Sequence, residues 1–477
     1  MFTYSWYTDL YLLYKNKESV SINQTATNAG NALGTENIRK LIFRLALPTV
    51  TAQIVNMLYN LVDRIYIGHI ADSGEKALTG LGVCQPIILF IAAFSALICY
   101  GGAPRAAIAM GEKNNTKAEK ILASCFTAQI LISILLTAVF SVWHRDILLA
   151  FGASDATIDY ACEYIQIYVL GTLFVELSLG MNAFITAQGF ASVAMKTVLV
   201  GAVSNIVLDP IFIFGFSMGA RGAALATVLS QGLSAAWVLV FLFGKKPVLR
   251  LRKENLMPDL SLLLPCMALG LSPFIMQATE SVLSVCFNTS LKEYGGDIAV
   301  GSMTILSSIN MFLMLPLQGF VQGAQPVISY NYGAKNAARI KAAFRVVLTT
   351  CVVYSTVMWA AVMLFPGVFA RMFGNNPALI AYTEKSARVF FAVSLIFGVQ
   401  IACQQTFVAI GNAKNSLFLA ILRKLILLIP LIYILPNFFA DKTFAVFLAE
   451  PVADFLAVSV TATLFFFTFR REMASFE

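Results

Sequence analysis

Three carboxylates interrupt stretches that are otherwise apolar: Asp63 in "NLVDRIYIG", Glu176, and Asp209 in "SNIVLDPIFIFGF". An acid in hydrocarbon is expensive, so by default it faces a cavity, an ion or a partner. Asn205 and Asp209 lie four residues apart and share one helix face. Pro210 has no N–H, which frees the carbonyl of Ile206 on the same turn. A carboxylate, an amide and a free carbonyl are hard oxygen ligands for a cation such as Na⁺, or a seat for a proton. Asp63, Asn205 and Asp209 are therefore the candidate ion site, with Asn182 and Thr227 as candidates to complete it. The blander alternative is a polar network that only joins helices, and it stays open, most of all for Asn182 and Thr227.

The elements that must position these groups are read from hydropathy. The 477 residues are 58% hydrophobic and 12% charged, with a mean hydropathy of +0.78. The apolar residues fall in runs of roughly 20–28 residues, the length of a membrane-spanning helix. Twelve runs are found, at about 41–67, 79–110, 120–142, 158–186, 194–216, 219–244, 260–290, 299–329, 342–366, 378–409, 416–436 and 442–469. The chain is expected to be an all-α polytopic membrane protein. Its net charge of +8 is orientation rather than a nucleic-acid footprint. With the N-terminus inside, the inner loops hold about three times as many Lys and Arg as the outer ones. Both termini are then cytoplasmic.

Enzyme signatures are lacking. There is no Walker A motif and no HExxH, and the two histidines, His69 and His144, fall at outer span edges. "GFSMG" (215–219) matches GxSxG, but it sits in a short turn between spans, without the strand a nucleophile elbow needs. The eight cysteines are scattered singly and read as small apolar residues. No enzyme activity and no cofactor beyond the coupling ion are expected.

The sequence is an internal duplication. A shift of 222 places Gly101, Pro104, Gly111, Lys113 and Asn114 on Gly323, Pro326, Gly333, Lys335 and Asn336. Around the first span the shift is 224, and Gln53 falls on Gln277. Two parallel six-span copies of this kind suit a transporter with its cavity between the halves. The expected organisation is an N-terminal extension at 1–32, disordered, an N-lobe at 33–244, a basic cytoplasmic loop at 245–259, a C-lobe at 260–470 and a tail at 471–477. Under the repeat Asp63, Asn205, Asp209 and Thr227 fall on Phe287, Leu427, Leu431 and Ala449. The acid cluster is private to the N-half.

The C-half offers Glu280, which falls on Asn56, and neutral polar groups: Gln400, Gln404 and Gln405, with Asn310 and Gln318. With Gln53, Gln277 and the methionines Met276, Met303, Met311 and Met314, these could line an adaptable cavity, though such methionines more often pack. Glu450 and Asp454 are four apart with Pro451 between them, and fall close to an outer edge.

"LGTENIRKLIFRLALPTVTAQIVNMLYNLVDRIYIGHI" (33–70), the pair "MGEKN" and "QGAQPVISYNYGAKN", and "SNIVLDPIFIFGFSMGARGAALAT" resemble the multidrug and toxic compound extrusion (MATE) family, the first stretch in the manner of its MepA-like bacterial branch. The resemblance runs from about residue 33 to the C-terminus. It implies twelve helices in two six-helix lobes, in a bacterial plasma (inner) membrane. It further implies export of cationic or amphipathic small molecules, by a monomer, in exchange for H⁺ or Na⁺. Matched by motif, Asp63 stands for the family's first-helix acid, and Asn205 and Asp209 for its fifth-helix pair. Asn182 and Thr227 match the remaining N-lobe cation ligands by spacing, and Glu280 resembles a seventh-helix glutamate that some members use. The tenth helix departs from the pattern: it has glutamines and Arg388 but no acid, which argues against a cation site centred on Glu280. Ion binding is expected to act through helix 1, interrupted by Pro48. The competing reading is a flippase for lipid-linked saccharides, which needs a cationic cavity; Arg64, Arg105 and Arg388 are its intramembrane candidates.

Overall fold

A computed structural model describes residues 32–70, 74–155, 157–373 and 376–476. The expected N-terminal extension lies outside the described residues apart from Ala32. The spans are α1 (Ile38–Gly68), α2 (Ala77–Gly111), α3 (Asn115–Ala150), α5 (Ala191–Gly215), α6 (Gly219–Phe243), α9 (Ala337–Leu364), α11 (Ala413–Asn437) and α12 (Lys442–Ala474). Two further spans are bent: α4 (Ile158–Leu170 and Thr172–Ala187, 57°) and α10 (Pro377–Phe390 and Ser394–Ala409, 51°). The stretch Leu260–Gly333 is two helices, α7 and α8, parted at Gly296. There φ is 64° and ψ −159°, a backbone conformation that glycine adopts without a Cβ clash. Twelve spans result, as expected, and no strand occurs among the described residues. One expectation fails: α1 is not interrupted, because the helix continues through Pro48.

The repeated motif has a physical reason. In each copy a lysine with positive φ ends one helix, Lys113 at 59° and Lys335 at 52°. The next asparagine caps the following helix: Asn114 accepts from the Lys117 amide (3.0 Å), and Asn336 from the Arg339 amide (3.1 Å). The same three-residue turn joins α2 to α3 and α8 to α9.

The lobes meet on the side that carries the start of α1 and the inter-lobe loop, through backbone contacts that only glycine permits. A Cβ on Gly111 would collide with the Tyr330 carbonyl and approach the Ala334 amide; one on Gly333 would collide with the Ile108 carbonyl and approach the Glu112 amide. The shift of 222 turns Ile108 into Tyr330 and Glu112 into Ala334, so the contact is the same one made twice around a local two-fold axis. Deeper in, Gly101 abuts Cys266 and Gly270, and Gly323 abuts Ala46 and Thr49. The Thr49 hydroxyl donates to the Gly319 carbonyl of α8 (2.6 Å). A glycine seam between α1, α2, α7 and α8 therefore closes this end of the molecule.

Candidate functional site

Asp63 of α1 and Asp209 of α5 are both buried, and their carboxyl groups adjoin each other. Asn205, one helical turn before Asp209, donates its amide to Asp209 Oδ1 at 3.1 Å. This leaves Asp63 Oδ1, Asp209 Oδ2 and Asn205 Oδ1 buried without a hydrogen-bond partner. Asn182 of α4 donates to the Ala194 carbonyl (3.2 Å), and its Oδ1 is likewise unpaired. Asn182, Asn205 and Thr227 line a cavity of about 50 Å³ together with Asn56, Gly201 and Ala202. Thr227 also lies against the Tyr164 hydroxyl. The structure thus brings the N-lobe candidates into one region. All four orphaned atoms are acceptor oxygens, and what such a set lacks is a proton or a cation. Glu176 stands apart, held by Ser95 (3.1 Å) and Gln129, and lines neither this cavity nor the larger one.

Between the lobes lies the larger cavity, of about 440 Å³. Gln53, Gln277, Met276, Glu280, Asn310, Gln318, Gln400 and Gln404 all line it, as do Met314, Gln405 and Asn182. Gln53 reaches across the lobes to Gln322 (3.1 Å), and Gln404 donates to the Met276 sulfur (3.2 Å). Met303 does not belong: it is buried in the C-lobe core beside Leu306 and Phe390, because its face of α8 turns inward to the lobe. Met311 is half exposed and outside the cavity lining.

The charges of the C-lobe differ from expectation. Glu450 and Asp454 are not at an outer edge: α12 begins at Lys442, so they lie two and three turns inside it, buried and facing the cavity. Both bind Arg423 of α11, whose Nη2 is 3.0 Å from Glu450 Oε1 and whose Nε is 2.7 Å from Asp454 Oδ1. The guanidinium also lies 4.5 Å from the centre of the Phe397 ring. Lys424 pairs with Glu280 and donates to the Met276 carbonyl at 2.8 Å. Arg423 and Lys424 are the functional residues that sequence reasoning missed. The signal was available, two consecutive bases inside "FLAILRKLILLIPLIYIL". Residues 422–428 form a π-helical stretch, wider than an α-turn, and both neighbours face the cavity from it. Of the three expected intramembrane bases, Arg64 and Arg388 are exposed and Arg105 is half-buried, and none of them lines either cavity.

Two six-helix lobes closed at one end by a glycine seam, around a cavity with polar groups at its centre, define a membrane transporter fold. The MatE family model matches residues 48–211 and 273–434, one match in each lobe, and the chain belongs to this family. It is similar to the multidrug export protein MepA of Staphylococcus haemolyticus (strain JCSC1435), 23% identical over 430 residues that cover 90% of this chain and 94% of the relative. Among solved structures it is similar to a MATE protein in its bent conformation, with TM-score 0.88, 22% identity, and coverage of 94% of this chain and 99% of that one. A MOP-superfamily transporter from Pyrococcus furiosus Vc1 (DSM3638), described as having a binding pocket of reversed polarity that suggests a different function, matches at TM-score 0.85 and 22% identity. It covers 94% of this chain and 98% of that one. Fold alone therefore leaves pocket chemistry open, and the lining residues must decide it.

Proposed function

We propose that the protein is a secondary active multidrug exporter of the bacterial plasma membrane. It acts as a monomer with both termini cytoplasmic, and exchanges H⁺ or Na⁺ from outside for cationic or amphipathic compounds by alternating access. The observation that carries the ion coupling is the set of four buried, unpaired oxygens on Asp63, Asp209, Asn205 and Asn182. Two adjoining carboxyls in a low-dielectric interior cannot both stay charged without a proton or a cation between them. The same acceptors suit Na⁺, which takes oxygen ligands. The coupling runs through α1: Asp63 and Thr49 sit on this one unbroken helix, about 21 Å apart at 1.5 Å per residue. Ion binding at Asp63 thereby biases the helix whose other end holds the seam at Gly319.

The nature of the cargo is argued from the larger cavity. Its charged lining is three acids, Glu280, Glu450 and Asp454, against two bases, Arg423 and Lys424. Each base is tied to an acid, so among the described residues the cavity presents no free cation to a pyrophosphate group, as a flippase for lipid-linked saccharides requires. The relatives named for multidrug export agree with this reading. The test is ethidium transport in proteoliposomes with Na⁺ and proton gradients imposed separately. Asp63→Asn and Asp209→Asn each reduce gradient-driven transport to background while the protein still reaches the membrane. Full transport by either variant overturns the mechanism.

A further inference from the structure

The duplication allows the two lobes to be superposed residue by residue at their charged depths. Glu280, Arg423 and Lys424 fall on Asn56, Gly201 and Ala202 under the repeat. Those three N-lobe residues line the 50 Å³ cavity beside Asn205. Where the N-lobe keeps small side chains and open space beside unpaired oxygens, the C-lobe has filled the equivalent place with two cationic side chains and the acids that hold them.

We propose that Lys424 is a tethered cation: it takes at Glu280 the place an external cation takes in the N-lobe, and a cationic cargo binds by competing with it for that carboxylate. This rests on the export reading above. Exposure supports the assignment. The Lys424 side chain is 4% exposed and its ammonium is held from behind by the Met276 carbonyl, whereas the Glu280 side chain is 61% exposed. The carboxylate therefore has a free flank toward the cavity while the lysine sits beneath it. Arg423 cannot play the same part, because its guanidinium is divided between Glu450 and Asp454 and packed on Phe397. Glu450 and Asp454 are each paired with that arginine and buried, which leaves Glu280 as the acid open to cargo. A lysine that neutralises but does not cover its partner sets a threshold: a bound cation must bring enough apolar contact with the cavity wall to displace it, so small inorganic cations are rejected there.

The test measures tetraphenylphosphonium binding to the purified full chain by calorimetry, with thermal unfolding as the check on folding. Lys424→Met is expected to bind about tenfold tighter than the natural protein, and Glu280→Gln about tenfold weaker. The double variant is expected to behave as Glu280→Gln, since the gain depends on the carboxylate. Lys424→Gln, which keeps a donor for the Met276 carbonyl, is the second variant should Lys424→Met unfold, and it shows the same direction. Binding by folded Lys424→Met or Lys424→Gln that is no tighter than that of the natural protein overturns the proposal, as does a gain that survives in the double variant. If neither the natural chain nor any variant binds the cation, it is the export reading that falls; a natural chain that binds while Lys424 variants show no gain sinks the tethered cation alone.

Discussion

The N-lobe and the C-lobe began as one sequence and now solve the same problem, buried charge, in opposite ways. In the N-lobe Asp63, Asn205, Asp209 and Thr227 converge, and four oxygens of the region are left unpaired. Their counterparts Phe287, Leu427, Leu431 and Ala449 also converge, but as part of one apolar cluster in which Phe287 packs on Phe390 at 6.2 Å. Alongside them the pattern reverses: the C-lobe carries five charges, each paired with an opposite one, where the N-lobe has Asn56, Gly201, Ala202, Val228 and Gly232. An unpaired cluster needs something from outside and can respond to it; a paired cluster is already neutralised in large part from within. Under the proposed coupling, the difference separates the lobe that takes up the ion from the lobe that meets the cargo.

Making the lobes alike breaks the comparison most severely on the N-side. Asp209→Leu, the C-lobe residue, abolishes gradient-driven dye transport, yet thermal unfolding in detergent shows a protein at least as stable as before, because orphaned buried acceptors are removed. The reverse sign is expected in the C-lobe. Arg423→Leu leaves Glu450 and Asp454 buried and uncompensated and costs about 3–5 kcal/mol, read as a fall in unfolding temperature. Replacing Arg423, Glu450 and Asp454 together by leucine restores most of that loss. The seam sharpens the comparison by its symmetry: Gly111→Val and Gly333→Val each place side-chain atoms against the partner backbone and are expected to weaken closure equally, measured by the rate of cysteine labelling in the larger cavity from the terminus-bearing side. The smallest effect falls on a surface cap. Asp441, hydrogen-bonded to the Phe444 amide (3.0 Å) and the Thr443 hydroxyl, is held below the usual aspartate range, first by that backbone bond. Its contribution to the start of α12 is present at neutral pH and lost as pH falls through that lowered value. Asp441→Ala costs about 1 kcal/mol at neutral pH, and the difference from the natural chain vanishes in acid.

Much of this molecule was legible because its solvent is hydrocarbon. The apolar runs marked all twelve spans, and the bend in α4 and α10 did not hide them. The duplication was legible because its punctuation is stereochemical: a left-handed lysine, a capping asparagine and seam glycines tolerate few substitutes. The N-lobe acids stood out for the same reason of cost. What stayed hidden depended on helix rotation. Met303 and Met314 share α8, yet one faces the core and the other the cavity. Arg423 and Lys424 are separated by about 100° on an ideal α-helix, and they face one cavity from a π-helical stretch at 422–428 that hydropathy does not reveal. Glu450 and Asp454 were placed near an outer edge although the apolar run starts at 442, as α12 does; two and three helical turns carry them inside the span and rotate them onto the cavity.

The seam of Gly111 and Gly333 carries one more consequence. Its contacts are backbone against backbone, held by shape and dispersion. Screening by salt and the voltage across the membrane find little there to act on. Under the proposed coupling, the gradient is felt not at these glycines but in the room behind them, where the N-lobe acids sit.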